Sequence, residues 1–123
     1  MPGSPSHIPR GAMGTFRALG WSLAGLRAAW LHEASFRLEV VLAAILVPLA
    51  FVVGEDAIER LLLLLALLAV LVTELLNSAI ETAIDRHGLE RHELSGRAKD
   101  LGSAAVLGAI VAAMCTWIAV LVA

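Results

Sequence analysis

From Leu61 to Val72 the chain runs for twelve residues without a polar side chain. The thirteen that follow, Thr73 to Asp85 (TELLNSAIETAID), bring in three acids, an amide and three hydroxyls. The pattern predicts one helix from Leu61 to about Ile84, apolar at first and polar along one side later. Two other apolar runs stand out, Leu38 to Gly54 and Leu101 to Ala123, the latter without a charged residue. A helix of about 20 residues crosses a bilayer, so three spans are expected, the first lengthened by an upstream helical extension. Pro48 lies inside the first span, where neighbouring helices tolerate a kink.

Upstream, Phe16, Leu19, Leu23, Leu26 and Trp30 recur at spacings of three and four. That is one face of a helix, predicted over about residues 15–36, with Arg17 and Arg27 elsewhere on it. Trp21 and Trp30 suit the level of lipid headgroups, so the helix is expected to lie on the membrane surface. Residues 1–13, rich in Pro, Gly and Ser, have no apolar stretch of the signal-peptide kind and read as a disordered arm ahead of one domain over 14–123.

Composition agrees. The 123 residues are 59% hydrophobic and 16% charged, against about 25% charged for an ordinary soluble domain. A net charge of −2 argues against a nucleic-acid partner, which needs a basic surface. The single cysteine, Cys115, lies in an apolar run and reads as a small hydrophobe. Arg10, Arg17, Arg27 and Arg37 precede the first span, and Arg86, Arg91, Arg97 and Lys99 lie between the second and third. The link Gly54–Arg60 has one basic residue. Positive loops stay in the cytoplasm, which puts the N-terminus inside and the C-terminus outside.

The second span carries the candidate chemistry. At 100° per residue, Glu74, Asn77, Ser78, Glu81 and Asp85 share one face. If Arg60 marks the outer boundary, Glu74 lies about 20 Å into a core about 30 Å thick, in its cytoplasmic half. An ionised group there costs about 2.5–3.5 kcal/mol on insertion scales, more than a simple interhelical hydrogen bond requires. Three spans offer little surface for enclosing such groups, and a single copy would expose Glu74 or Glu81 to lipid, which favours a homo-oligomer. Glu33 and Glu39 flank the cytoplasmic start of the first span, and Lys99, the only lysine, stands beside Asp100 at the start of the third. Carboxylates near a lone lysine are compatible with phosphate and Mg²⁺, which takes one or two carboxylates plus phosphate oxygens. No Walker loop is present, and His87 and His92 lack a strong zinc-ligand pattern.

Glu74-Leu-Leu-Asn-Ser-Ala-Ile-Glu81 and His92-Glu-Leu-Ser-Gly-Arg-Ala-Lys-Asp-Leu-Gly-Ser-Ala-Ala-Val106, with Gly25–Trp30 and Glu33–Arg37, closely resemble the prokaryotic diacylglycerol kinase family. The resemblance covers about Gly20 to the C-terminus. It implies an all-α membrane protein, three transmembrane helices plus an amphipathic surface helix, assembled as a homotrimer with shared active sites. It also implies transfer of the γ-phosphoryl group of MgATP to diacylglycerol, giving phosphatidic acid. Under it Glu74 corresponds to the catalytic base, Asn77 to an active-site polar contact, and Glu33 with Glu81 to the metal-binding pair. Glu90, His92, Lys99 and Asp100 correspond to nucleotide contacts. Glu39 matches a further active-site carboxylate, and Arg27, Trp30, Arg60 and Ser103 match positions near the lipid. Ala24, Gly14 and Arg91 depart from the usual residues of the closest relatives.

Three rivals remain at this level. Relatives with this architecture phosphorylate undecaprenol, although the ELSGRAKDLGSAAV form looks more like the diacylglycerol branch. A proton-coupled transporter would need polar residues on both sides of the midplane, which Leu61–Val72 lacks. A purely structural bundle would leave the buried carboxylates without a use.

Overall fold

The computed structural model describes residues 11–88 and 92–123, and within them the chain is entirely helical. Helix α1 spans Ala12–His32, α2 Ala34–Val53, α3 Ala57–Asp85 and α4 Glu93–Val122. Residues 1–10 of the N-terminal arm lie outside the described residues, and α1 has already begun at Ala12.

The last three helices are long and apolar enough to cross a membrane. At 1.5 Å per residue, the 29 residues of α3 and the 30 of α4 extend about 43 and 45 Å, well beyond a core of about 30 Å. The excess carries the polar residues out of the apolar layer on continuous helix. Local chemistry sets the starts earlier than hydropathy does. Asp56 caps α3 by accepting the Glu59 N–H at 2.8 Å. His92 caps α4 through Nδ1, which accepts the Leu94 N–H at 3.1 Å.

One residue, Glu33, separates α1 from α2, with extended backbone (φ −116°, ψ 104°). Its N–H still bonds the Ala29 carbonyl at 2.9 Å, and its carbonyl accepts from Arg37 at 3.1 Å. The corner is strapped from outside, where Arg37 Nη1 donates to the carbonyls of Trp30 at 2.8 Å and Leu31 at 3.3 Å. These are among the end-of-helix acceptors that have no partner within α1. At the opposite corner, Arg60 Nε donates to the Gly54 carbonyl at 3.0 Å, closing the α2–α3 link.

α3 packs most extensively on α4 and less on α2, while α1 rests on α2. The interior is small. Its apolar part is Ala29, Phe36, Ala50 and Leu63, and it includes Glu74 (6% exposed) and Ser78 (8% exposed). Leucines 62, 65, 68 and 76 of α3 face outward. Polar groups inside and leucine outside is the arrangement expected of a chain whose solvent is lipid. The face of α1 formed by Phe16, Leu19, Leu23, Leu26 and Trp30 is likewise uncovered by the rest of the chain.

Candidate functional site

The stripe on α3 turns inward. Glu74 and Ser78 are buried, and Asn77 and Glu81 half-buried. Glu81 lies two turns, about 10 Å, beyond Glu74 along the axis. Between them Asn77 Nδ2 donates to Glu81 Oε1 at 3.3 Å, while Asn77 Oδ1 is enclosed with no hydrogen-bond partner among the described residues. The charges of Glu81 and Glu33 act on Glu74, and that of Glu74 acts on Glu39. The α1–α2 corner therefore brings Glu33 within electrostatic range of Glu74, and the first turns of α2 do the same for Glu39.

Beside the stripe, α2, α3 and α4 leave a groove of about 420 Å³. It is walled by residues such as Leu42, Leu46, Leu67, Leu71, Ile110 and Met114, and Glu39 is its one polar lining residue. Glu39 Oε2 is buried there without a partner. Glu74 is not in the lining and lies one helical turn past Val70 and Leu71 of the groove's α3 wall.

On the far side of Glu81, Lys99 Nζ donates to Asp85 Oδ1 at 2.7 Å, and both side chains are about half exposed. Glu81 also acts on this lysine. The predicted site residues thus fall into two sets. Glu33, Glu39, Glu74, Asn77, Glu81 and Lys99 converge. Asp100 and Ser103 are exposed on α4, His92 is occupied as its cap, and Arg27 and Trp30 are exposed on α1. Arg60 is fourteen residues, about 21 Å, from Glu74 along α3 and is engaged with Gly54. Glu90 lies outside the described residues.

Among the described residues no three acidic, histidine or cysteine side chains form a metal cage by themselves. The donor set fits a hard cation that takes one or two carboxylates and completes its shell with water and phosphate oxygens, as Mg²⁺ does. Three contributors were not read from the sequence. Arg37 secures the corner that carries Glu33, Gly102 abuts Asn77, and Asp85 holds Lys99. A basic residue four positions past a helix break is a usable signal for the first. The other two depend on packing between helices.

A family model described as prokaryotic diacylglycerol kinase matches residues 20–121. The chain belongs to that family. It is 54% identical over 101 residues to the diacylglycerol kinase of Escherichia coli (strain K12), covering 82% of this chain and 83% of that protein. Similarity to the diacylglycerol kinase of Haemophilus influenzae is 53% over 97 residues, 79% of this chain and 82% of the other. The Pseudomonas aeruginosa diacylglycerol kinase is 45% identical over 121 residues, 98% of each chain. The family match takes in α2, α3, α4 and most of α1, and so every residue of the converging set.

Proposed function

We propose that this chain is an ATP-dependent diacylglycerol kinase of the bacterial inner membrane, acting as a homotrimer with shared sites. The observation that carries the reading is a carboxylate, Glu74, only 6% exposed on an apolar helix, one turn past the α3 wall of an apolar groove. A lipid with its acyl chains in the groove presents its glycerol end to Glu39 and its free hydroxyl to Glu74.

Glu74 takes the hydroxyl proton as the oxygen attacks the γ-phosphorus of ATP. The new O–P bond forms, the bond to the β-phosphate oxygen breaks, and ADP leaves with phosphatidic acid as the other product. Glu33 and Glu81 would hold Mg²⁺, which when bound supplies positive charge against the phosphate oxygens. Lys99 exchanges Asp85 for the polyphosphate and steadies it. Asn77 keeps the Glu81 carboxylate oriented. Most of the acceleration comes from positioning and electrostatics, as in phosphoryl transfer generally.

Asp100, Ser103, Arg27 and Trp30 are exposed in the single chain and meet substrates supplied at a neighbouring subunit's site, with Glu90 and His92 on the nucleotide side. α1 lies in the cytoplasmic interface with its Phe16–Trp30 face against lipid, and the C-terminus is outside.

The test is transfer of labelled phosphate from ATP, with Mg²⁺, in mixed micelles containing diacylglycerol or undecaprenol. Phosphatidic acid made by the wild type, with Glu74→Gln at least 100-fold slower, is the expected result, about the contribution of general base catalysis. Preferential phosphorylation of undecaprenol would move the chain to the other lipid. A folded oligomer that phosphorylates neither would overturn the kinase reading.

A further inference from the structure

The geometry points to Gly102 as a positioning residue, whose missing side chain is the space that keeps the Asn77 amide turned toward Glu81. The inference rests on the kinase reading for its effect on the reaction, but not for its geometry.

Asn77 has one acceptable orientation. Its Nδ2 donates to Glu81 Oε1 at 3.3 Å, and a flipped amide would set its carbonyl oxygen against that carboxylate. The amide oxygen is then driven to the α4 side, where it is enclosed without a hydrogen-bond partner. A buried orphan acceptor is uncommon and calls for a cause. The cause here is the close approach of α4. A methyl group built on Gly102 would overlap Asn77 Oδ1, and would stand 3.3 Å from Asn77 Cγ and 3.6 Å from Ile80 Cδ1.

Backbone conformation does not require this glycine. Gly102 is buried within regular α4, and the positive-φ glycines among the described residues are Gly11 and Gly88. On helix propensity alone, alanine would be the better residue. Gly96 and Gly108 on the same helix have nothing within 4 Å of such a methyl group, so the close contact is specific to position 102. A Cβ at 102 forces the amide to rotate, and rotation removes the donor from Glu81. The side chain that steers the Glu81 carboxylate is thus held by an absence on the facing helix.

Asn77 is the one asparagine of the chain, and there is no glutamine. It therefore gives the single carboxamide NH₂ pair in a ¹⁵N–¹H spectrum of the labelled protein in micelles. Gly102→Ala is expected to move that pair, and Glu81→Ala, expected to move it in the wild type, should have no further effect once alanine is at 102. In the lipid phosphorylation assay, Gly102→Ala should lower kcat about tenfold. In an Asn77→Ala background the same change should cost less than twofold, because the atom it strikes is gone. Should Gly102→Ala fail to assemble, the Asn77→Ala/Gly102→Ala double variant is expected to recover the oligomer. An unmoved carboxamide pair, equal losses in both backgrounds, or a double variant that also fails to assemble would each overturn the proposal. The spectrum reads the coupling without the reaction, so a moved pair supports it even if the lipid assay is blank.

Discussion

Arg37 offers the sharpest test of how the site is held together. Glu33 sits in a one-residue corner between two helices, and its placement depends on what stops α1 from fraying. Arg37→Gln removes a charged nitrogen that bonds Trp30 O at 2.8 Å and Leu31 O at 3.3 Å. Both contacts share the one nitrogen, and the longer adds less than the first. A net hydrogen bond contributes about 0.5–1.5 kcal/mol, and a cation at a helix C-terminus about 0.3–1 kcal/mol. Both carbonyls are at an exposed end where water competes, so the sum is taken near the middle, about 1–2 kcal/mol. That corresponds to a rise of roughly 5–30-fold in local opening.

The assay is amide hydrogen exchange of the reconstituted protein, read at Glu33, whose N–H bonds Ala29 O at 2.9 Å. In Arg37→Gln this amide should exchange about 5–30 times faster, while amides in the middle of α3 stay unchanged. The Mg²⁺ concentration giving half-maximal phosphorylation should rise in parallel, because Glu33 is one of the two carboxylates assigned to the metal. Arg37→Lys should fall between, since an ammonium keeps the charge but not the fork of donors. Glu33 exchange within twofold of wild type in Arg37→Gln would refute the strap, whatever the Mg²⁺ dependence did.

Two other substitutions probe the remaining corners. At Gly54 an added Cβ would meet Arg60 Cγ at 2.6 Å, Ala50 O at 2.9 Å and Arg60 N at 3.0 Å. Two of those are backbone atoms that cannot swing away, so Gly54→Ala should destabilise the fold by about 1–3 kcal/mol, measured as a lowered unfolding midpoint in mixed detergent; an unchanged midpoint would show the α2–α3 link to be slack. Asp85→Asn releases Lys99 from its 2.7 Å partner, and removing an exposed ionic competitor should lower the KM for ATP about two- to fivefold with little change in kcat. A raised KM would instead mean that Asp85 aims the lysine.

The parts legible in the sequence are those that a lipid solvent dictates one residue at a time. An apolar run in a bilayer has to be helical, because nothing else satisfies its backbone, so Leu61–Val72 identifies its own structure. A 3.6-residue period then places Glu74, Asn77, Ser78 and Glu81 on one face, and the burial of Glu74 and Ser78 follows that face inward. What escaped are the particular contacts that two helices make jointly. Nothing in GRAKDLGS says that the glycine at 102 faces Asn77, or that Lys99 reaches back fourteen residues to Asp85. The helix starts escaped for a different reason. Asp56 and His92 act through one backbone N–H each, a signal invisible to hydropathy.

Arg60 shows how the two kinds of information combine. Resemblance associates it with the lipid, and helical rise puts it about 21 Å from Glu74 on the same helix. Both hold only if the substrate lies lengthwise along α3, hydroxyl at Glu74 and acyl ends toward the Gly54 corner. Leu67, Val70 and Leu71 of the groove's α3 wall lie between the two residues in sequence. On the proposed lipid path Arg60 would meet the acyl chains through its stem, with its Nε held by Gly54 O. Arg60→Lys keeps most of that stem and loses the Nε bond, so it should weaken the corner more than it weakens use of diacylglycerol. Arg60→Ala loses both. A lysine variant with wild-type thermal stability and a severalfold higher KM for diacylglycerol would reverse that order, and with it the lengthwise path past a committed guanidinium.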